Sequence, residues 1–286
     1  MRMIAQPTNH LSLITHHLSL IIIFPMPDIL SEIIANKRIE VELQKQSIAI
    51  EQLYEGVSDT PPTRSMKQAL ATSSSGIIAE FKRRSPSKGW IKETASPEGI
   101  IPDYAAAGAS ALSILTDEKF FGGTLRDIRV ARPLVNLPIL RKEFIIDEYQ
   151  LYQARIVGAD AVLLIAAALE QDECHALTDK AHELGLEVLL EIHSADELTY
   201  INKETDMIGI NNRNLGSFHT DVANSFCLAE HLPEDIIRVS ESGLSQPETV
   251  SQLRNAGFRG FLIGETFMRT GQPGETLKDF IDKITT

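Results

Sequence analysis

Apolar and polar positions along the chain change rhythm twice. From Pro27 to about Leu70 the period is helical. "PDILSEIIANKRIEVELQKQ" offers Asp28 as an N-cap and sets Ile29, Leu30, Ile33, Ile34 and Val41 at helix-like spacing. "SDTPPT" at 58–63 interrupts the pattern as a turn, and Arg64–Ala71 resumes it as a second, short helix. After "SSSG" the chain turns to short apolar runs, most of them rich in Val, Ile and Leu. They begin near Ile77, Ala111, Leu137, Ala161, Glu187, Met207, Ile236 and Phe261. Helix-like segments lie between them. "PEGIIPDYAAAG", "EYQLYQARIVG", "ECHALTDKAHELG" and "PETVSQLRNAG" each end in a glycine suited to a helix C-terminus, with the next run close behind.

Strand–helix units repeating at roughly 25 residues suit the crossovers of a parallel sheet. Alternation this regular favours α/β over α+β. The predicted fold is a closed (β/α)8 TIM barrel with an N-terminal helical extension at about 27–71, in one domain over 27–286. An open doubly wound sheet is the runner-up, and no G-x-G-x-x-G follows the first run to support it.

Residues 1–26 stand apart. "HLSLITHHLSLIIIF" repeats HLSL, and its longest apolar run, Leu20–Pro25, is far short of the ~20 residues that span a bilayer. Arg2 is the only nearby positive charge and no A-x-A-like cleavage site follows, which argues against a secretory signal. The stretch is expected to be a dispensable leader of doubtful status.

Composition narrows the class. Of 286 residues, 43% are apolar and 23% charged, as in an ordinary soluble globular protein. A formal net charge of −12 repels phosphate backbones and anionic lipid, so neither nucleic acid nor a membrane is expected as a partner. An anionic ligand would need positive charge gathered in one cleft. Cys174 and Cys227 lack metal-type spacing and fit a reducing, cytoplasmic compartment without disulfides. "ECHALTDKAH" offers Cys174, His175 and His182, but 174 and 175 face different ways and no second cluster completes a metal site, so no metal is expected.

Barrels of this type gather their chemistry at the C-terminal ends of the strands. The first strand ends in Glu80 and Lys82, two residues apart and so on one face. The second is followed by Phe120 and Phe121. Lys142 and then Phe144 end the third, Glu191 the fifth, Asn211 and Arg213 the sixth. Ser242–Gly243 and Gly264–Glu265 follow the seventh and eighth. Singly, each has an ordinary reading as a solvated charge or a core aromatic. Together they would bring two glutamates, two lysines, an arginine and an asparagine to one rim, a set costly to bury unless paired and typical of a functional cleft. The Ser-Gly and Gly-Glu dipeptides sit where barrels commonly hold phosphate through backbone N–H groups.

The stretches "IIAEFKRRSPSKG", "LSILTDEKFFGG", "PILRKEFIIDEYQ", "LLEIH", "IGINNRNL", "VSESG" and "FLIGETFM" occur in that order, each at a strand end. From about Pro27 onward the chain thereby resembles the indole-3-glycerol phosphate synthase family. The resemblance implies a carboxy-lyase of tryptophan biosynthesis that converts 1-(2-carboxyphenylamino)-1-deoxyribulose 5-phosphate to indole-3-glycerol phosphate, releasing CO2 and water. It implies no cofactor and a small phosphorylated partner; a monomeric enzyme is the default expectation. On the matching positions, Lys142 resembles the general acid and Glu191 the general base. Lys82 resembles the lysine that meets the anionic substrate, and which lysine serves which step stays open. Glu80 would orient the lysines, and Asn211 would position polar groups on the substrate or on Glu80. Arg213 would face the substrate carboxylate. Gly243, Gly264 and Glu265 would offer backbone donors to phosphate, with Ser242 beside them in the catalytic set. Phe121 and Phe144 would wall the aryl ring, and Ser85 in the "RRSPSKG" loop would help close the site.

Under this reading the cleft is basic through Lys82, Arg83, Arg84, Lys142 and Arg213, and burial is expected to lower the lysine pKa values toward a range useful for proton transfer. Glu143 stands where the family more often has Asp and is expected to point away from Lys142. Rival readings are a Schiff-base aldolase using Lys142 and a non-catalytic phosphate-binding barrel. Phosphoribosylanthranilate isomerase, of the same fold, would place a cysteine at the first strand end and an aspartate at the fifth, unlike Glu80/Lys82 and Glu191.

Overall fold

A computed structural model of the chain describes residues 28–285, apart from Leu215 and Ser217. The expected leader, 1–26, lies outside the described residues. Eight parallel strands form the centre: β1 (Ile77–Phe81), β2 (Ala111–Leu115), β3 (Ile139–Lys142), β4 (Ala161–Ile165), β5 (Glu187–Ile192), β6 (Met207–Asn211), β7 (Ile237–Glu241) and β8 (Gly260–Ile263). Each bonds to the next, and β8 returns to β1 in the register Ile77↔Phe261 to Ala79↔Ile263. That last pairing closes the barrel and excludes the open sheet. Strand starts differ from the sequence reading by two residues at most, since Ile139 replaces Leu137 and Gly260 precedes Phe261.

Side chains alternate across each strand, which divides the apolar residues into two layers. On β1, Ile77, Ala79 and Phe81 pack outward beneath the helices, and Ile78 points into the barrel. Leu140, Leu163, Leu189, Val239 and Leu262 fill the interior with it. Met66 and Leu70 join this inner cluster from below. The crossover helices run where the glycine-terminated segments predicted them, as in Glu148–Val157, which Gly158 ends at φ 90°.

The N-terminal helical region is three helices, where the sequence pattern suggested two: α1 (Ile29–Ser47), α2 (Ile50–Ser58) and α3 (Met66–Thr72). Asp28 caps α1, accepting from Ser31 N at 2.8 Å, and Ser65 caps α3, accepting from Gln68 N at 3.0 Å. The extra break falls at Ile48–Ala49, both extended, where the Gln52 side chain accepts from Ala49 N at 3.2 Å. No glycine or proline marks that break. α1 reaches the C-terminal rim of the barrel, with Lys37 fully buried against Asp117 and Glu143 beyond the ends of β2 and β3.

Candidate active site

The alternation that buries Ile78 inward carries Glu80 and Lys82 inward too. Likewise Leu140 is followed on its face by Lys142, Leu189 by Glu191, and Val239 by Glu241. Four strands thus set charge directly above the apolar floor. Lys82 Nζ lies 2.5 Å from Glu80 Oε1. Lys142 Nζ is shared by two carboxylates, 2.7 Å from Glu191 Oε2 and 2.6 Å from Glu241 Oε2. Asn211 Nδ2 donates to the other oxygen of Glu191 at 3.1 Å. Glu241 Oε1 is buried with no hydrogen-bond partner among the described residues.

Two glycines make room for these carboxylates. A Cβ on Gly209 would stand 2.2 Å from Glu241 Oε1, and one on Gly264 would stand 2.3 Å from Glu80 Oε1. Gly264, expected as a phosphate donor, therefore has a steric task as well.

Burial alone would lower the Lys142 pKa, but the carboxylates of Glu191, Glu241 and Glu80 outweigh it and hold the ammonium above its ordinary value. The expected downward shift of this lysine is corrected on that ground: the sequence did not place three carboxylates around it. Burial would raise Glu191, yet Lys142 and His193 keep it below the usual carboxylate range. Glu241 goes the other way. Burial, with Glu191 and Glu80 nearby, pushes it up to about 7 despite Lys142.

Above the charged layer opens a cleft of about 350 Å³. Phe121 and Phe144 form one wall with ring centroids 5.8 Å apart, and Ile29, Leu30 and Ile33 of α1 add apolar surface. Ser242, Gly243, Gly264 and Glu265 line one part of the cleft. Ser242 and Gly243 are both left-handed, φ 68° and 77°, and Asn212 Nδ2 holds the Ser242 carbonyl at 3.0 Å. Over the cleft lies a short hairpin pairing Arg84–Ser85 with Gly89–Trp90. Ser85 Oγ lines the cleft, buried and without a hydrogen-bond partner among the described residues. Arg213 Nη1 donates to Ser87 Oγ at 2.8 Å and Nε to Thr220 Oγ1 at 3.3 Å, tying this hairpin to the loop after β6.

The residues given site roles thus line one cleft, but three details differ from the sequence reading. Arg83 and Arg84 do not face it. Alternation turns Arg83 outward, where its guanidinium forks onto Asp127 at 2.7 and 2.8 Å, and Arg84 donates to the Lys119 carbonyl and lies over Trp90. Lys88 and Arg269 line the cleft instead. Asn211 serves Glu191, not Glu80, because β6 is the strand next to β5. Phe120 takes the core alternative that the sequence left open. Glu241 was missed, although its alternation with Val239 in "VSESG" was there to be read. Glu143 turns to Lys37, Arg141 and Thr116.

A closed (β/α)8 barrel whose C-terminal rim gathers paired lysines and carboxylates beside aromatic and backbone-lined walls defines an enzyme of the TIM-barrel class for a small anionic substrate. Among the described residues no helix is long and apolar enough to cross a membrane. The family model "Indole-3-glycerol phosphate synthase" matches residues 30–280. A protein of that name from Bacteroides thetaiotaomicron is 74% identical over 259 residues, 91% of this chain and 100% of its own length. Another, from Acidithiobacillus ferrooxidans, is 45% identical over 88% of this chain and 98% of its own. The chain belongs to the indole-3-glycerol phosphate synthase family. In fold it also resembles the tryptophan synthase α subunit from Legionella pneumophila, with TM-score 0.56 at 14% identity over 77% of this chain and 97% of that one.

Proposed function

We propose that this cleft performs its family's reaction with Lys142 as general acid and Glu191 as general base. The activity is that of an indole-3-glycerol-phosphate synthase, a carboxy-lyase of tryptophan biosynthesis. The observation that carries the assignment is the Lys142 ammonium held between Glu191 and Glu241 on the barrel floor.

In the substrate, the ring carbon bearing the carboxylate attacks the ketone carbon. Charge develops on the ketone oxygen, which takes a proton from Lys142 in a site where burial strengthens the interaction. Loss of CO2 returns the bonding electron pair to the ring and restores aromaticity. Dehydration follows: Glu191 removes a proton from the adjacent methylene carbon as the hydroxyl takes a second proton from the recharged Lys142 and leaves as water. Glu241, with its raised pKa, is placed to return a proton to Lys142. Lys82, oriented by Glu80, meets substrate charge and remains the second candidate donor.

Arg213 suits the carboxylate, because a planar guanidinium matches it in geometry. Phe121 and Phe144 flank the aryl ring. Phosphate lies against the backbone of Ser242–Gly243 and Gly264–Glu265, with Lys88 and Arg269 supplying charge, and Ser85 Oγ is free to donate to the substrate. A Schiff-base aldolase would need a neutral amine, and the carboxylates around Lys142 oppose that. We read the enzyme as a cytoplasmic monomer that binds no nucleic acid.

The test is Lys142→Ala, followed by the fluorescence of the indole product. Activity should fall by about 10²–10⁴-fold. A variant that keeps wild-type turnover would transfer the donor role to Lys82. Borohydride in the presence of substrate should leave the wild type unlabelled, and a trapped adduct on Lys142 would revive the aldolase.

A further inference from the structure

The inward alternation of β5 continues past Glu191 to His193, the last residue of "LLEIH", and the reaction above gives its imidazole no task. Its side chain is 14% exposed. Nε2 lies 3.3 Å from Glu191 Oε1, the same oxygen that accepts from Asn211 of β6. Nδ1 lies 3.7 Å from Glu197 Oε2. Glu197 is anchored by the backbone N–H of His193 itself at 2.6 Å, and Asn224 of the helix Ala223–Ala229 donates to the His193 carbonyl at 3.1 Å. Among the described residues neither ring nitrogen makes a hydrogen bond. The imidazole therefore faces charge: Glu191 on its own strand, Glu197 on the turn that follows, and Glu241 on β7, with Lys142 on the far oxygen of Glu191.

We propose that His193 is a positioning residue for the reaction: as an imidazolium it holds Glu191 ionised and oriented through Oε1 while Lys142 acts at Oε2. This rests on the reading of Glu191 as the base. The physical need arises within the reaction itself. Once Lys142 has given its proton to the ketone oxygen, it no longer offsets the charge of Glu191, and Glu191 and Glu241 face one another in a buried site. The proton that Glu241 holds can then pass to Glu191 instead of returning to Lys142, and a protonated Glu191 cannot remove the methylene proton. A cation on the opposite side of Glu191 keeps the base available through that interval. The surroundings are suited to supply it. Burial would lower the ring's pKa, but the nearby carboxylates of Glu197, Glu191 and Glu241 outweigh burial and raise it above the ordinary 6.5. The ring is thus charged below that raised value and neutral above it. His193 contributes charge on the acid and neutral side of the range and withdraws it as the medium becomes alkaline.

The experiment compares kcat and kcat/KM against pH for the wild type, His193→Asn and Glu191→Gln. In His193→Asn, kcat should fall about tenfold near neutrality with KM nearly unchanged, and the acid limb should move up by about one pH unit as Glu191 loses a counter-charge. A merely structural histidine would change the amount of active enzyme and leave both limbs in place, and that result overturns the inference. Glu191→Gln separates the two claims. If it turns over like the wild type, the base assignment itself fails. If it is inactive while His193→Asn keeps the wild-type profile, only the role of His193 fails. Nitrogen NMR of histidine-labelled wild type provides a readout without turnover. The His193 ring should show the imidazolium pattern at pH values above its ordinary 6.5 and retreat to lower pH in Glu191→Gln. A ring already neutral at about pH 6 overturns the inference even if His193→Asn does not fold.

Discussion

Replacing Lys37 with methionine should destabilise the protein far more than a lysine-to-methionine change on a helix normally does. Lys37 is fully buried, with Nζ 2.8 Å from Glu40, 3.0 Å from Asp117 and 3.0 Å from Glu143. Methionine fills similar space, so the loss is electrical: Asp117 and Glu143 stay buried with less compensation. Breaking a buried pair from one side costs about 3–5 kcal/mol. The lower end applies here, since Glu143 keeps Arg141 at 3.5 Å and Thr116 at 2.8 Å, and Asp117 keeps the Phe120 N–H at 2.7 Å. About 3 kcal/mol is a large part of the 5–15 kcal/mol that typically holds a domain, and should move the urea midpoint by roughly 1 M. The pH dependence checks the cause. Burial would raise the Glu143 pKa, but Lys37 and Arg141 hold it below 4.5. A carboxyl depressed in the folded state stabilises above its unfolded pKa, and that stability is lost as pH falls through the depressed value. The gap between wild type and variant should therefore be full at pH 7 and narrow in acid. A gap under about 1 kcal/mol at pH 7, or one that widens in acid, would refute the argument. Because α1 also brings Leu30 and Ile33 to the cleft, the folded variant should bind substrate less tightly.

Two further substitutions probe the cleft. Gly264→Ala would set a methyl 2.3 Å from Glu80 Oε1 and 3.0 Å from Glu80 Cβ, so Glu80 must leave its bond to Lys82; kcat/KM should fall by about 10²-fold with an unchanged circular dichroism spectrum. Activity within a few-fold of wild type would show that Glu80 need not be there. Arg213→Lys keeps the charge but loses the fork that spans Ser87 and Thr220, and KM should rise about tenfold with kcat little changed. An unaltered KM would remove Arg213 from substrate binding.

Much of the site was legible in the sequence because strand geometry is local. Glu80 and Lys82 follow Ile78 at intervals of two, and that spacing alone puts them on the barrel face. Lys142 and Glu191 obey the same rule from Leu140 and Leu189. Glu241 obeys it too, from Val239, and was passed over; the remaining failures were non-local. Arg83 and Arg84 counted as basic residues of a basic loop, yet their partners Asp127 and Lys119 lie some forty residues on and take them out of the cleft. α1 looked like any amphipathic helix, and nothing in its spacing told that Lys37 would be buried among carboxylates from two other loops.

The sequence by itself determined the eightfold strand–helix rhythm, the face on which each strand-end charge would lie, and the family. These follow from periods of two and 3.6 residues and from contiguous motifs, which any stretch of chain carries within itself. The tertiary structure decided that the sheet closes, that Asn211 serves Glu191, that Gly209 and Gly264 make space for carboxylates, and that Lys142 carries a raised pKa. Each of those depends on groups brought together from distant strands, and the energy of a charge in a buried site is set by the neighbours it meets there rather than by its place in the chain.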